Sequence, residues 1–367
     1  MGNAAIAVGL MSGTSADGID AAVVETDGAG HVRPLAFHSL GYTPDQHRRI
    51  RSAMRRAMDL PAPADDPQID AVAEELTHLH AEAVNAALAA ASVKPAEVQV
   101  VGFHGQTVAH RPERGWTWQI GDGDLLARLT GIDVVADFRS HDVAGGGQGA
   151  PLAPVFHRAL ATAARLDPPV AFLNLGGIGN VTWIGDGDEH ILAFDTGPAN
   201  ALIDDWMRTH AGQPHDAGGQ TAAAGRVDDA ALRELLANPW FDAAPPKSLD
   251  RQSFSADPVA GLNLADGAAT LTAFTAASVA RALAHLPAPP HHWLVCGGGR
   301  HNATLMRMLA ERLGDVRAVE AIGWNGDAIE AQAFAYMAAR HLRGLPISFP
   351  GTTGIDRPRT GGRLFRA

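Results

Sequence analysis

A turn rich in glycine and hydroxyl side chains lies between two short apolar runs near the start of the chain. Residues 9–20 read GLMSGTSADGID, with the apolar run Ala4–Val8 before them and Ala21–Val24 after them. This order predicts a strand, a tight polar turn and a second strand. Such a turn can wrap the terminal phosphates of a nucleotide through backbone N–H groups and hydroxyls, while a nearby carboxylate holds Mg²⁺. An ordinary polar hairpin turn explains the same residues, so the turn alone leaves both interpretations open.

Composition narrows the class of protein. The net charge of -11 argues against nucleic acid or an anionic membrane as the main partner. The single cysteine excludes a disulfide framework, and neither a signal peptide nor a membrane-spanning run is recognisable. These features predict a cytoplasmic protein. The motif GxxxxGK[ST] is absent, so a nucleotide would be held by amides, hydroxyls, arginine and metal and not by a P-loop lysine.

The second half of the chain repeats the order of the first. Val170–Leu175 is a predicted strand, Gly176 and Gly177 begin a turn, and Val181–Ile184 is the next strand. Two lobes that each begin with strand, glycine-rich turn and strand are therefore expected. The GGGQG run at residues 145–149 suggests a boundary nearby. We expect an N-terminal lobe of residues 1–139 plus 345–367, and a C-terminal lobe of residues 140–344.

Several polar residues follow predicted strands and are candidates for chemistry. Asp195 can be a general base or a helix cap, since aspartate suits both. His104, in HGQT, can face a sugar or be a structural histidine. Arg139 can clamp a carboxylate or phosphate or form a surface ion pair. The glycines of residues 297–299 can admit a base or ribose or form a plain loop. Glu330 can face a cleft or solvent.

The ordered set of motifs resembles one family. The runs GLMSGTSADGID, GFHGQTVAHRP, TWQIGDGDLLA, VVADFRSHDVAGGGQGAPL, LNLGGIGNVTW, FDTGPANALIDDW, PPKSLDR, CGGGRHN and GDAIEAQAFAYMA occur in the order expected of anhydro-N-acetylmuramic acid kinases. The resemblance covers residue 9 to about residue 354. It implies an α/β fold of the two-lobed actin/hexokinase/Hsp70-like type, ribonuclease H-like in each lobe, with the active site in the cleft between the lobes.

The resemblance also implies a reaction and a set of site residues. ATP and water would convert 1,6-anhydro-N-acetylmuramic acid into N-acetylmuramic acid 6-phosphate and ADP, in cell-wall recycling. Asp195 would activate the water, and Asp17 or Asp20 would hold Mg²⁺. The sugar pocket would contain His104, Gln106, Thr107, Arg139 and Glu330. The nucleotide would contact Ser12, Gly13, Thr14, Ser15, Ala16, Asp17, Gly18, Ile19, Asp20, Gly176, Gly177, Asn180, Gly297, Gly298, Gly299 and Asn302.

Other functions predict different outcomes. A kinase for another sugar would keep the fold and change the substrate, which a substrate panel would reveal. A sensor would bind the sugar without forming a sugar phosphate. A glycosidase that ignores ATP would need a second acid and would have no use for a phosphate turn. The sequence leaves the oligomeric state open, a homodimer included.

Overall fold

Two mixed β-sheets, each in its own unit, organise the chain in a computed structural model that describes residues 4–187, 190–249 and 253–367. Unit 1 consists of Met1–Arg165 and Ala328–Ala367, and unit 2 of Leu166–Asp327. Among the described residues, no helix is both long enough and apolar enough to cross a membrane.

Unit 1 is built on a seven-stranded sheet. Its strands are β1 (Ala5–Ser12), β2 (Gly18–Thr26), β3 (Val32–Gly41), β4 (Val98–Arg111), β5 (Trp116–Ile120), β6 (Val134–Ala136) and β12 (Arg363–Phe365). Its α-helices are α1 (Pro44–Met58), α2 (Pro67–Ala91), α3 (Gly123–Thr130), α4 (Ser140–Ala144), α5 (Pro154–Ala163), α11 (Ile329–Leu342) and α12 (Pro350–Thr353). The strand order is β12-β6-β4-β1-β2-β3, and β5 pairs with β4.

Unit 2 is built on a five-stranded sheet of order β11-β10-β7-β8-β9. The strands are β7 (Val170–Leu175), β8 (Ile178–Ile184), β9 (Ile191–Pro198), β10 (His292–Cys296) and β11 (Val316–Ala318). The α-helices are α6 (Ala201–Ala211), α7 (Gln220–Ala224), α8 (Asp229–Leu236), α9 (Leu264–Ala282) and α10 (Ala303–Leu313).

The two sheets share one topology. In unit 1 the first three strands form an antiparallel meander, and β4 and then β6 add in parallel beside β1. In unit 2 the strands β7, β8 and β9 form the meander, and β10 and β11 add in parallel beside β7. The predicted α/β fold with two units of the ribonuclease H-like strand order is confirmed.

Helix α11 packs directly on the sheet of unit 1, because glycine lets the two backbones approach. A Cβ at Gly9 of β1 would lie 1.9 Å from the carbonyl oxygen of Ala331, and one at Gly102 of β4 would lie 2.1 Å from that of Phe334. No larger residue fits at either position without moving the helix. Helix α5 joins the same layer, where the Phe156 ring lies 5.5 Å from the Tyr336 ring.

These contacts correct the predicted lobe boundaries, residues 1–139 plus 345–367 and 140–344. Unit 1 extends to Arg165 and resumes at Ala328, because α5 and α11 bury their apolar faces in its core. The glycines of residues 145–149 therefore lie inside unit 1 and do not mark the boundary. The C-terminal segment inserts Ile347 and Phe349 into the core of unit 1 and adds β12 antiparallel to β6.

Candidate functional site

The predicted phosphate turn is the connection Gly13–Asp17 between β1 and β2, called the unit 1 turn below. Its carbonyl groups are anchored: Gly13 O accepts from Ala16 N at 3.1 Å and from Gln106 Nε2 at 3.0 Å, and Ser15 O accepts from Arg51 Nη2 at 2.8 Å. Thr14 and Ser15 are exposed. A Cβ at Gly13 would meet no atom closer than 3.8 Å. Internal packing thus leaves room beside this glycine that a ligand can use.

Asp17 and Asp20, the predicted Mg²⁺ ligands, occupy different environments. Asp17 is exposed in the turn, while Asp20 is half-buried in β2 and raises the pKa of Glu330 through its charge. In the part of the chain that the structure describes, no three His, Cys, Asp or Glu side chains form a metal-binding group. Mg²⁺ commonly takes one or two carboxylates together with phosphate oxygens and water, so the two aspartates fit that mode and not an all-protein cage.

His104 and Arg139 form a direct pair in unit 1. Arg139 Nε donates to His104 Nε2 at 3.0 Å, and Arg139 Nη1 donates to Gly149 O at 2.7 Å. Burial, helped by the Arg139 charge, holds the pKa of His104 well below its usual range, so the imidazole is neutral. Burial lowers the pKa of Arg139 to about 10, which still leaves it charged. Arg139 is therefore a fixed cation whose orientation depends on His104.

Gln106 and Thr107 lie within β4, which continues to Arg111 and does not end before the HGQT motif as the sequence suggested. The buried Gln106 amide supports the unit 1 turn, and its Oε1 has no hydrogen-bond donor among the described residues. Thr107 Oγ1 accepts from Gln119 Nε2 at 3.2 Å. Gln106 thus connects the predicted sugar motif to the predicted phosphate turn.

Glu330 lies at the start of α11 and is accessible to solvent. Although part of the Glu330 side chain is accessible, the protein atoms around its carboxyl reduce the hydration of that group and raise its pKa; the Arg139 guanidinium opposes that rise, and the Asp20 charge adds to it. Glu330, Arg139 and Asp20 therefore share one electrostatic environment within unit 1. Four predicted residues from distant parts of the sequence interact here: Asp20, His104, Arg139 and Glu330.

The glycine turn of unit 2 has the same open character. Gly176 O accepts from Asn200 N at 3.0 Å, and Gly177 O accepts from Ala199 N at 3.0 Å. A Cβ at Gly176 would meet its nearest neighbour at 3.7 Å, and one at Gly177 at 4.0 Å. Asn180 lies beyond the turn in β8, where it is the cross-strand partner of Asp195.

Asp195 lies inside β9, not at a helix start. The N-cap of α6 is Asn200, so the helix-cap interpretation of Asp195 is wrong. The register shifts beside this residue, leaving Thr196 as the extra residue of a β-bulge, a feature that can redirect neighbouring side chains. Asp195 Oδ2 accepts from Leu249 N at 2.7 Å. Burial raises the pKa of Asp195 to about 6, and the hydrogen bond from Leu249 N partly opposes that rise.

The segment before residue 250 holds Asp195 in place. Lys247 O accepts from Asp195 N at 3.1 Å, and Lys247 Nζ donates to Phe241 O at 2.9 Å and lies 4.5 Å from the centre of the Trp240 ring. Lys247 therefore anchors the PPKSLDR motif on the unit 2 core. The last two residues of that motif, numbers 250 and 251, lie outside the described residues.

A cavity of about 290 Å³ opens beside the glycines of residues 297–299 in unit 2. Gly297 has φ +73°, and a Cβ there would lie 2.3 Å from Asn174 Oδ1, so the fold itself requires this glycine. Gly299 is similarly enclosed, whereas a Cβ at Gly298 would meet its nearest atom at 3.9 Å and enter open space. Asn302 caps α10 by accepting from Leu305 N at 2.9 Å.

Comparison with known proteins gives the family. The family model described as Anhydro-N-acetylmuramic acid kinase matches residues 5–367. The chain belongs to the anhydro-N-acetylmuramic acid kinase family. Proteins of that name from Rhizorhabdus wittichii, Rhodospirillum rubrum and Zymomonas mobilis are 60%, 54% and 49% identical to it, each over 98% of this chain. The alignments cover 99%, 94% and 99% of those proteins respectively.

In this member of the family, unit 2 also contains candidate site residues that the sequence did not indicate. Besides Gly298 and Asn302, the cavity is lined by Asn200, Ile203, Asp204, His215, Asp216, Gly218 and His301. In the sequence, the Gly218–Gly219 pair indicates a turn at this place. In the structure both residues have positive φ. Arg300, whose side chain is 3% exposed, braces the cavity loop by pairing with Glu320 and Asp327.

Proposed function

We propose that the chain opens the 1,6-anhydro ring of 1,6-anhydro-N-acetylmuramic acid with water and transfers the γ-phosphoryl group of ATP to O6. The products are N-acetylmuramic acid 6-phosphate and ADP, and the place of the reaction in the cell is the recycling of cell-wall amino sugars. Family membership supports the substrate class. The observation that carries the ring-opening chemistry is the half-buried Asp195, held by one N–H donor and with a pKa of about 6.

Asp195 is assigned as the general base. A carboxylate whose pKa has risen towards neutrality binds a proton more strongly than an exposed one and is still ionised at pH 7. It takes a proton from the water whose oxygen attacks C1 while the C1–O6 bond breaks. The leaving O6 forms its new bond to the γ-phosphorus, and the bond from that phosphorus to the bridging oxygen of ADP breaks. Because phosphorus captures the charge that develops on O6, no second carboxylic acid is required.

Phosphate handling is assigned to the two glycine turns. The open space beside Gly13, Gly176 and Gly177 lets phosphate oxygens approach backbone N–H groups closely. Asp17 and Asp20 are the candidate Mg²⁺ ligands, and Mg²⁺ when bound would neutralise developing charge on the phosphates. The cavity beside Gly298 and Asn302 is assigned to the nucleoside part of ATP. Gly298 supports this assignment, because the absence of a side chain there lets a base or ribose approach the backbone.

The sugar is assigned to the unit 1 cluster. Arg139 is a fixed, charged guanidinium and is the natural partner for the lactyl carboxylate of the substrate. Glu330 is accessible and can accept from a sugar hydroxyl, with Thr107 a further candidate contact. His104, whose Nε2 is already occupied by Arg139, is reassigned from sugar contact to support of Arg139.

The test is mass spectrometry of a reaction containing ATP, Mg²⁺, the anhydro sugar and ¹⁸O water. A sugar 6-phosphate with one ¹⁸O at C1 is the expected product. A phosphorylated sugar whose anhydro ring stays closed would make the protein an ordinary kinase and remove Asp195 from its role. Absence of any product, with phosphorylation of a different sugar in a substrate panel, would overturn the substrate assignment.

A further inference from the structure

The carboxylate of Asp142 is buried in unit 1, and the glycine-rich run at residues 145–149 folds around it. Gly149 N donates to Asp142 Oδ2 at 2.7 Å, and Thr353 Oγ1 donates to Asp142 Oδ1 at 2.7 Å. A Cβ at Gly147 would lie 2.2 Å from Asp142 Oδ2. The run is therefore a tight wrapping around one carboxylate, and glycine at residue 147 is required for that contact.

The glycine-rich run also connects Asp142 to the Arg139 guanidinium through hydrogen bonds. Asp142 Oδ2 accepts a hydrogen bond from Gly149 N, and the carbonyl oxygen of Gly149 accepts one from Arg139 Nη1 at 2.7 Å. The other anchor of the guanidinium is His104 Nε2, at 3.0 Å from Arg139 Nε. Among the described residues, the hydrogen bonds of the Arg139 guanidinium come from Nε and Nη1, which leaves its Nη2 edge for a ligand.

We propose that Asp142 is a positioning residue: by fixing the Gly149 peptide it aims Arg139 at the carboxylate of the anionic sugar substrate. The inference rests on the proposed function for the identity of that substrate, but the positioning itself concerns only this chain. Its charge also acts on the same group, since Asp142 together with Glu330 counteracts the lowering of the pKa of Arg139 by burial. The assigned role is thus both geometric and electrostatic.

Thr353 completes the arrangement from the far end of the sequence. Besides donating to Asp142, it accepts at its carbonyl from Gln148 N at 2.7 Å. The short helix α12 therefore fixes both the carboxylate and the glycine-rich run. Its neighbour Thr352 is equally buried, but the Thr352 hydroxyl bonds only within the helix start, at Phe349. Thr352 is a matched control, because its loss removes a buried hydroxyl without touching Asp142.

The test compares Asp142→Ala, Thr353→Val and the control Thr352→Val in steady-state kinetics. We expect Asp142→Ala to raise the KM for the sugar about tenfold and Thr353→Val about threefold, with kcat and the KM for ATP changed less than about twofold. The effect of Asp142→Ala should vanish in an Arg139→Ala background, because residues that act through one group are not additive. Equal effects in both backgrounds, or an equal effect of Thr352→Val, would overturn the proposal.

A crystal structure of each variant supplies a readout that needs no substrate. Asp142→Ala should displace the Arg139 guanidinium and break its bond to Gly149 O, while Thr352→Val leaves that bond in place. An unmoved Arg139 in a folded Asp142→Ala or Thr353→Val protein contradicts the positioning role. If the wild-type enzyme does not act on the anhydro sugar, the proposed function fails, and the position of Arg139 still decides this inference.

Discussion

Asn180 lies directly opposite Asp195 across the antiparallel pair β8–β9, so the neutral amide and the carboxylate side chain are cross-strand neighbours. A neutral partner at residue 180 adds no second negative charge beside Asp195. The ionisation of Asp195 is therefore governed by burial and by the Leu249 N–H group.

Asn180→Asp should place a like charge beside Asp195 and raise the pKa of Asp195 further. The acidic limb of the kcat/KM profile should then move to higher pH by about one unit. Asn180→Ala is the control and should leave the limb near the wild-type position. The pH dependence of kcat/KM measures the shift, and identical limbs in all three proteins would argue against Asp195 as the titrating base.

Asp195→Asn should lower kcat by about 10²–10⁴-fold, because the amide cannot accept a proton from water. The Asn Oδ1 can still accept from Leu249 N, so the local structure should remain. ATP affinity, measured by isothermal titration calorimetry, should stay near the wild-type value. The exposed Asp229→Asn in the same unit is the control; near-normal turnover in Asp195→Asn would refute the mechanism.

Wild-type activity should fall with decreasing pH below about 6, as Asp195 becomes protonated. The stability of the folded protein depends on pH in the opposite direction. Burial raises the pKa of Asp195 from 3.8 to about 6, so the folded state binds the proton more tightly than the unfolded state. Between these values stability falls as pH rises, and the ionised group costs about 1–3 kcal/mol at neutral pH.

Asp195→Asn should therefore unfold at a higher temperature than wild type at pH 8, and this difference should shrink towards pH 4. Thermal unfolding at both pH values, followed by circular dichroism, checks the sign. A difference that grows as pH falls would contradict the assigned burial cost of Asp195.

Gly13→Val should raise the KM for ATP at least about tenfold, because its side chain would occupy the space assigned to phosphate. The nearest atom to a Cβ there is 3.8 Å away, so the fold should tolerate the change. Gly30→Val is the matched control, since a Cβ at Gly30 meets no atom within 4 Å. An unchanged KM for ATP in Gly13→Val would remove the phosphate assignment of the unit 1 turn.

The adjacent glycines 297 and 298 of unit 2 should differ in what their substitution changes, stability in one case and ATP binding in the other. Gly297→Ala should lower the free energy of unfolding by about 1–3 kcal/mol, because φ is +73° and Asn174 blocks the Cβ. Gly298→Leu should leave stability near wild type and weaken ATP binding, since its side chain would enter the cavity. Urea unfolding measures the loss of stability, and ATP titration measures the loss of affinity. Unchanged ATP affinity in a folded Gly298→Leu protein would argue against the assignment of this cavity to ATP.

The sequence by itself determined the local pieces: strand–turn–strand at both repeats and the order of motifs that indicates the family. Apolar periodicity and glycine report directly on neighbouring residues, so these features can be derived without a structure.

Only the tertiary structure decided which residues meet. The His104–Arg139 bond and the bond from Thr353 to Asp142 join residues that are far apart in the chain. The boundary of unit 1 differs from the predicted one for the same reason: α11 packs on the unit 1 sheet, where Gly9 and Gly102 allow the two backbones to approach closely. Close approach of two backbones depends on packing between elements that are distant in the sequence, so a local pattern of residues does not specify it.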